Sequence, residues 1–302
     1  MTETVPHRAP ANANSPSAKI PPRFLGFDVT LDWLLRPLFG IGLAAIAVTA
    51  TIYGGYYFAL FISAGAIAAA REWHRMRAGG KFGLFVIVSA IGIAGATGGE
   101  VFLAHAGVSR EGLPWLLLAA CALINSALGS TRRVEALWHA ASLLYIGVPA
   151  LCLVTIREVL PNGFWLLLAL FAAVWGTDTG ALFTGNLLKG PKLWPALSPN
   201  KTWAGFLGGI LFGAIASAAV FAFLHANILN GFVFGASAAL VGHAGDLFES
   251  WLKRRVGRKN SGSLIPGHGG VLDRIDSMLF VASVAALLLL ALHINPMAAA
   301  TT

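Results

Sequence analysis

The feature that most restricts this chain is a succession of long apolar runs, near residues 33–52, 54–70, 82–98, 114–130, 138–155, 163–184, 205–224, 231–248 and 275–294. A bilayer core about 30 Å thick is crossed by a helix of about 20 apolar residues. The runs therefore predict an all-α fold, a polytopic transmembrane bundle of about nine spans. Composition agrees. Charged residues make up 11% of the 302, against about 25% in an ordinary soluble domain, so the surface cannot face mostly water.

Orientation follows from the basic residues, which concentrate in cytoplasmic loops. With a cytoplasmic N-terminus, nine spans put 19 Lys and Arg inside and only Arg110 and Arg157 outside. The formal charge of +8 is thus a signature of topology beside anionic headgroups, and no nucleic-acid partner is expected. Cys121 and Cys152 both sit in apolar runs and read as packing thiols. Residues 1–30, rich in Pro, Ala, Asn and Ser, read as a disordered cytoplasmic tail. Gly205, Gly208, Gly209, Gly213 and Ser217 are spaced for close helix contact in lipid.

Ionisable groups inside spans are costly and invite functional readings. Asp178 stands in the apolar run 171–184, and Asp246 and Glu249 stand near the end of the eighth. The densest polar stretch follows: Lys253-Arg254-Arg255-Val256-Gly257-Arg258-Lys259-Asn260, then Pro266-Gly267-His268-Gly269-Gly270, then Asp273-Arg274-Ile275-Asp276. Asp273 and Asp276 share one face if helical, and neighbouring carboxylates repel unless a proton or a cation compensates them. A hard cation such as Mg²⁺ takes few carboxylates and completes its shell with water and substrate phosphates. Glycines flanking His268 allow close backbone approach, and the basic run offers charge to phosphates. Phosphoryl and nucleotidyl transfer need this combination, being mainly positioning and charge stabilisation. Ser198-Pro199-Asn200-Lys201-Thr202-Trp203 supplies a second loop whose Ser, Lys and Thr could contact phosphate.

Taken alone, each signal has a plainer reading. The basic run 253–259 serves orientation, Asp178 pairs with a nearby cation, and Glu249 pairs with Lys253 at i, i+4. His268 makes a positioning hydrogen bond. Arg71, Glu72, Trp73, His74 and Arg75 form an ordinary interfacial cluster, and His225 and His243 are polar packing. What orientation does not ask for is the fixed spacing of the whole stretch.

That spacing resembles the signature of the phosphatidate cytidylyltransferases, the CDP-diacylglycerol synthases. The matching residues are Ser250, Leu252, Lys253, Arg254, Lys259, Pro266, His268, Gly269, Gly270, Asp273, Arg274 and Asp276. Ser198-Pro-Asn-Lys-Thr-Trp resembles a second motif of that family, and Asp178 falls where it carries an intramembrane Asp. Asn260 and Ala204 depart from the pattern, each standing where an acid is usual.

The resemblance implies condensation of CTP or dCTP with phosphatidic acid in the membrane, on the cytoplasmic side of a bacterial-type inner membrane. Mg²⁺ would be held by Asp246, Asp273 and Asp276, with a second, monovalent cation left open. Lys259 and Asp178 join these in the catalytic set. Substrate contacts fall to Ser198, Lys201, Thr202, Lys253, Arg254, His268, Gly269, Gly270 and Arg274. Residues 31–160 then form the N-terminal helices, residues 161–296 the catalytic region, and a homodimer is left open. The alternatives are a proton-coupled transporter, which would carry its charges near the midplane, and another Mg²⁺-dependent lipid transferase.

Overall fold

The computed structural model describes residues 23–24, 27–28, 31–77, 82–108, 112–129, 133–258, 260–262 and 269–297. Most of the tail expected over 1–30 lies outside them. Ahead of Leu43, Arg23–Phe24 (β1) pairs antiparallel with Phe27–Asp28 (β2), and α1 (Leu31–Tyr53) begins.

From Leu43 onward the chain is a helical bundle. Gly54, with φ +63°, interrupts the helix in a conformation that side-chain-bearing residues rarely adopt. There follow α2 (Gly55–Arg77), α3 (Phe82–Ala106) and α4 (Leu113–Leu128). Next, α5 (Arg133–Ser142) runs into α6 (Val148–Val159) through a π-helical turn, Leu143–Gly147. Pro149 has no N–H for the Tyr145 carbonyl, and the register slips so that the Val148 N–H bonds Leu143 O. The bundle closes with α7 (Gly163–Leu188), α8 (Trp203–Phe223), α9 (Ile228–Arg255) and α10 (Leu272–Ala286).

Each apolar run of the sequence falls largely on a helix. Among the described residues, five segments are long and apolar enough to cross a membrane: Phe82–Ala106, Arg133–Val159, Gly163–Leu188, Trp203–Phe223 and Ile228–Arg255. Shorter apolar helices occupy Gly40–Tyr53 and Leu113–Leu128.

Small residues set the packing of the C-terminal half. A Cβ on Gly180 of α7 would lie 3.0 Å from Gly208 O of α8, and one on Gly209 would lie 3.0 Å from Thr177 O. Only backbone fits there, so α7 and α8 approach as closely as lipid-embedded helices can. The core beneath is aliphatic and aromatic. One part gathers Phe58, Val101, Leu153, Leu167 and Phe171, and another Trp73, Ile93, Leu143, Ile146 and Leu272.

One amendment to the all-α expectation lies between α7 and α8. Lys192–Trp194 (β3) pairs antiparallel with Ser198–Thr202 (β4), Lys192 opposite Thr202 and Trp194 opposite Ser198. Prolines 191, 195 and 199 forbid helix across this segment, and a hairpin pairs much of the backbone instead.

Candidate active site

The hairpin presents the first motif. Thr202 ends β4 and caps α8, its hydroxyl accepting the Gly205 N–H at 3.1 Å. This inward turn commits one lone pair of the hydroxyl to the helix and leaves its O–H as a donor. Lys201, one residue earlier, points the other way and donates to Asp246 Oδ2 on α9. The two motif segments are thereby joined.

Asp246 owes its place to its neighbour. Gly245 leaves room for α10, whose Asp276 carbonyl oxygen sits 3.0 Å from where a Cβ would stand. The close crossing brings Asp276, 9% exposed, within electrostatic reach of Asp246 and Glu249. One turn further along α9, Lys253 Nζ donates to Glu249 Oε2 at 2.7 Å and to Asp273 Oδ1 at 2.8 Å. Glu249 is 1% exposed, so the i, i+4 pairing read from sequence is present and buried.

Asp273 is fully engaged. Its oxygens accept the N–H groups of Ser261 (3.1 and 3.2 Å) and Gly270 (2.9 Å) besides Lys253. Burial alone would lift its carboxyl, but these bonds and the Lys253 charge outweigh burial and hold it below the usual range. Gly270 is buried, and Gly269 carries φ +87°. Asp178 on α7 is exposed and lies within electrostatic reach of Asp246, Lys201 and Arg274. Arg274 is exposed on the first turn of α10.

Beside these ion pairs opens a polar cleft of about 190 Å³. It is lined by Ser198, Pro199 and Asn200 of the hairpin and by Ser250, Lys253, Arg254 and Asn260 of α9 and its extension. The structure thus brings together Ser198, Lys201, Lys253, Arg254, Asp246, Asp276 and Asp178. It turns Thr202 to capping and Asp273 to holding Lys253 and the loop backbone. Lys259 and His268 lie outside the described residues.

Two residues at the site were passed over by the sequence reading. Tyr145, on the π-helical turn, sits within electrostatic reach of Asp276, Glu249 and Asp246, and its buried hydroxyl has no partner among the described residues. The π turn at Pro149 was the available signal. Glu72, read as interfacial, is 3% exposed and bonded to the α9–α10 connection. Trp73 and His74 beside it are also buried, while Arg71 is half-buried and Arg75 exposed, so only the middle of this cluster is interior.

A divalent cation can be tested against these groups. Among the described residues no three of His, Cys, Asp and Glu are grouped to hold a metal. Asp246 and Asp276 lie within electrostatic reach of each other, Asp246 holding Lys201 and Asp276 Oδ1 accepting the Ser277 N–H at 2.8 Å, whereas Asp273 is engaged by Lys253 and two loop N–H groups. Two carboxylates, with the rest of the shell from phosphates and water, suit Mg²⁺. The site therefore fits Mg²⁺ with a smaller ligand set than the three aspartates expected from the sequence.

Comparison with known proteins identifies the family. The pattern of the cytidylyltransferase family matches residues 34–292. A phosphatidate cytidylyltransferase of Brucella suis biovar 1 (strain 1330) is 38% identical over 251 residues, covering 82% of this chain and 90% of its own. One from Brucella melitensis biotype 1 is 37% identical over 249 residues, 82% of this chain and 90% of its own. One from Staphylococcus aureus (strain COL) is 32% identical over 265 residues, 85% of this chain and 98% of its own. With the pattern matched from α1 to the end of the bundle, and relatives aligned over most of both lengths, this chain belongs to the cytidylyltransferase family.

Proposed function

We propose that this protein condenses CTP, or dCTP, with phosphatidic acid to give CDP-diacylglycerol and pyrophosphate. The observation that carries this reading is the cleft lined jointly by the hairpin and α9, with Lys253 and Arg254 in its wall and the Asp246–Asp276 pair alongside. The relatives' shared activity names the substrates.

In this reading a phosphate oxygen of the lipid attacks the α-phosphorus of CTP. The new P–O bond forms as the α–β bridge breaks, and the electron pair leaves with pyrophosphate. The attacking phosphate is already ionised at neutral pH and needs no general base. Lys201, Lys253 and Arg254 receive the triphosphate, and Ser198 and Arg274 extend its contacts to either side. Asp178 keeps Lys201 and Arg274 oriented. When bound, Mg²⁺ supplies charge neutralisation at the phosphates, held by Asp246 and Asp276. Asp273 acts indirectly, fixing Lys253 and the loop.

We place nine spans in the membrane, the N-terminus and the cleft on the cytoplasmic side, in a bacterial inner membrane. The basic residues support this, since Lys192, Lys201, Lys253, Arg254, Arg255 and Arg258 all gather at the cleft end of the bundle. Cys121 and Cys152 are buried, so an Arg258→Cys variant reports sidedness cleanly. An impermeant maleimide should label it only from the cytoplasmic face.

The decisive assay supplies purified protein with phosphatidic acid, Mg²⁺ and either nucleotide. A nucleotide-lipid product, lost on chelation and restored by Mg²⁺, is the expected result. Absence of product with both CTP and dCTP ends the proposal.

A further inference from the structure

Glu72 stands near the C-terminal end of α2, where a negative charge opposes that helix's own dipole. Buried to 3% exposure, a carboxylate there is costly unless other groups compensate it. The compensation comes from 200 residues away. Glu72 Oε2 accepts the Leu272 N–H at 3.0 Å and faces the Ser261 hydroxyl at 3.2 Å. Leu272 is the first residue of α10, and α10 makes no cap of its own, for Val271 offers no side-chain bond. Glu72 therefore caps α10 from another helix, and its charge lies at the helix end where negative charge is favoured.

The neighbouring glycines are shaped to this carboxylate. A Cβ on Gly262 would come 2.5 Å from Glu72 Oε1 and 2.6 Å from its Cδ. A Cβ on Gly270 would lie 2.9 Å from the same Cδ. Ser261, Gly262, Gly270 and Leu272 thus surround one carboxylate, and two of them, Ser261 and Gly270, also donate to Asp273.

We propose that Glu72 is a positioning residue for the transfer reaction: it caps α10 and seats Ser261, Gly262 and Gly270, and so sets Asp273 against Lys253 and Asp276 toward Asp246. It touches neither substrate nor cation. The claim rests on the cytidylyl-transfer reading for its functional half, while its structural half stands on the contacts alone.

The test uses the full-length protein in detergent, as parent, Glu72→Ala and Glu72→Gln. Two readouts are taken: amide hydrogen exchange, and turnover with CTP, phosphatidic acid and Mg²⁺. Glu72→Ala should speed exchange at Ser261, Gly262, Gly270 and Leu272 about tenfold or more while α3 and α7 keep parental rates. It should lower kcat about tenfold, with KM for CTP within about threefold. Glu72→Gln still offers an oxygen to Leu272 N–H and should return both readouts to within about threefold of parent. Unchanged exchange at those four amides overturns the proposal, as does faster exchange throughout the bundle or equal loss in the Gln and Ala variants. If Glu72→Ala does not fold, the crowding is read from the other side. Gly262→Ala should lose turnover, and Glu72→Asp, one methylene shorter, should recover at least about threefold of it in the double variant. Absence of recovery counts against the proposal. Exchange needs no turnover, so a parent lacking transfer activity would end the functional reading while the exchange still decides the capping claim.

Discussion

Between α2, α3, α4 and α5 lies a buried cluster of neutral polar groups bonded to one another. His74 Nδ1 and His139 Nδ1 lie 2.9 Å apart, His74 Nε2 meets Ser89 Oγ at 2.9 Å, and Asn125 Nδ2 donates to the same oxygen at 2.9 Å. Phe85 stacks on His139 at 3.6 Å between ring centres and seals the cluster. Between α8, α9 and α10 the polar groups are charged and stand beside an open cleft, with Lys201 on Asp246 and Lys253 on Glu249 and Asp273. Neutral groups satisfied by hydrogen bonds cost little to bury and fix how helices meet. Charges are expensive in an apolar surround and are retained where a charged substrate completes them. The first cluster is architecture and the second is chemistry.

The strongest way to test that division is to neutralise the acids of the second cluster. Asp246→Asn and Asp276→Asn should each lower kcat/KM by about 10⁴-fold or more. For Asp276→Asn the thermal midpoint should hold or rise, because the change removes repulsion from the neighbouring carboxylates. Asp246→Asn also gives up the half-exposed pair with Lys201 and should cost no more than about 1 kcal/mol of stability. A collapse of the midpoint alongside activity would make these aspartates structural. Lys253→Met should damage both properties. It strands Glu249 and Asp273 without their cation, a loss of about 3–5 kcal/mol for a buried pair broken on one side, read as a lower unfolding midpoint with diminished turnover.

The neutral cluster should respond in the opposite sense. Ser89→Ala leaves His74 and Asn125 without their shared partner and should cost about 1–3 kcal/mol of stability. Turnover per folded molecule should stay at the parental value. A catalytic defect at unchanged stability would erase the contrast between the two regions. The smallest effect is expected at Asn260, exposed on the cleft wall. Asn260→Asp should change kcat/KM by no more than about threefold, since a solvent-facing charge interacts weakly. A larger gain would place position 260 among the groups that contact cation or phosphate.

Much of this was legible in the chain itself. The apolar runs marked the helices because a helix buries a continuous apolar stretch without alternation. The i, i+4 pair of Glu249 and Lys253 was legible because both lie on one helix. Lys201 and Asp246 could each be picked out as charges near spans, but not as partners. Their meeting depends on prolines 191, 195 and 199 turning the chain into a hairpin and on glycines 180, 208 and 209 drawing α7, α8 and α9 together. Glu72 was misjudged for the same reason. In sequence it sits among arginines at a helix end, and only packing against the α9–α10 connection makes it interior.

By itself, then, the sequence determined that the protein lives in a membrane, which segments become helices, and which side chains are costly enough to need a purpose. These follow from local quantities: hydropathy, spacing along one helix, and the price of a charge in lipid. The tertiary structure alone decided which of those side chains share a site and which are spent on holding it. Asp273 and Thr202 bond to backbone, Asp246 and Asp276 come within electrostatic reach of each other, and Glu72 caps a helix 200 residues away. Such pairings are set by how closely helices can approach. That distance depends on residues on both partners at once, and no single stretch of chain contains it.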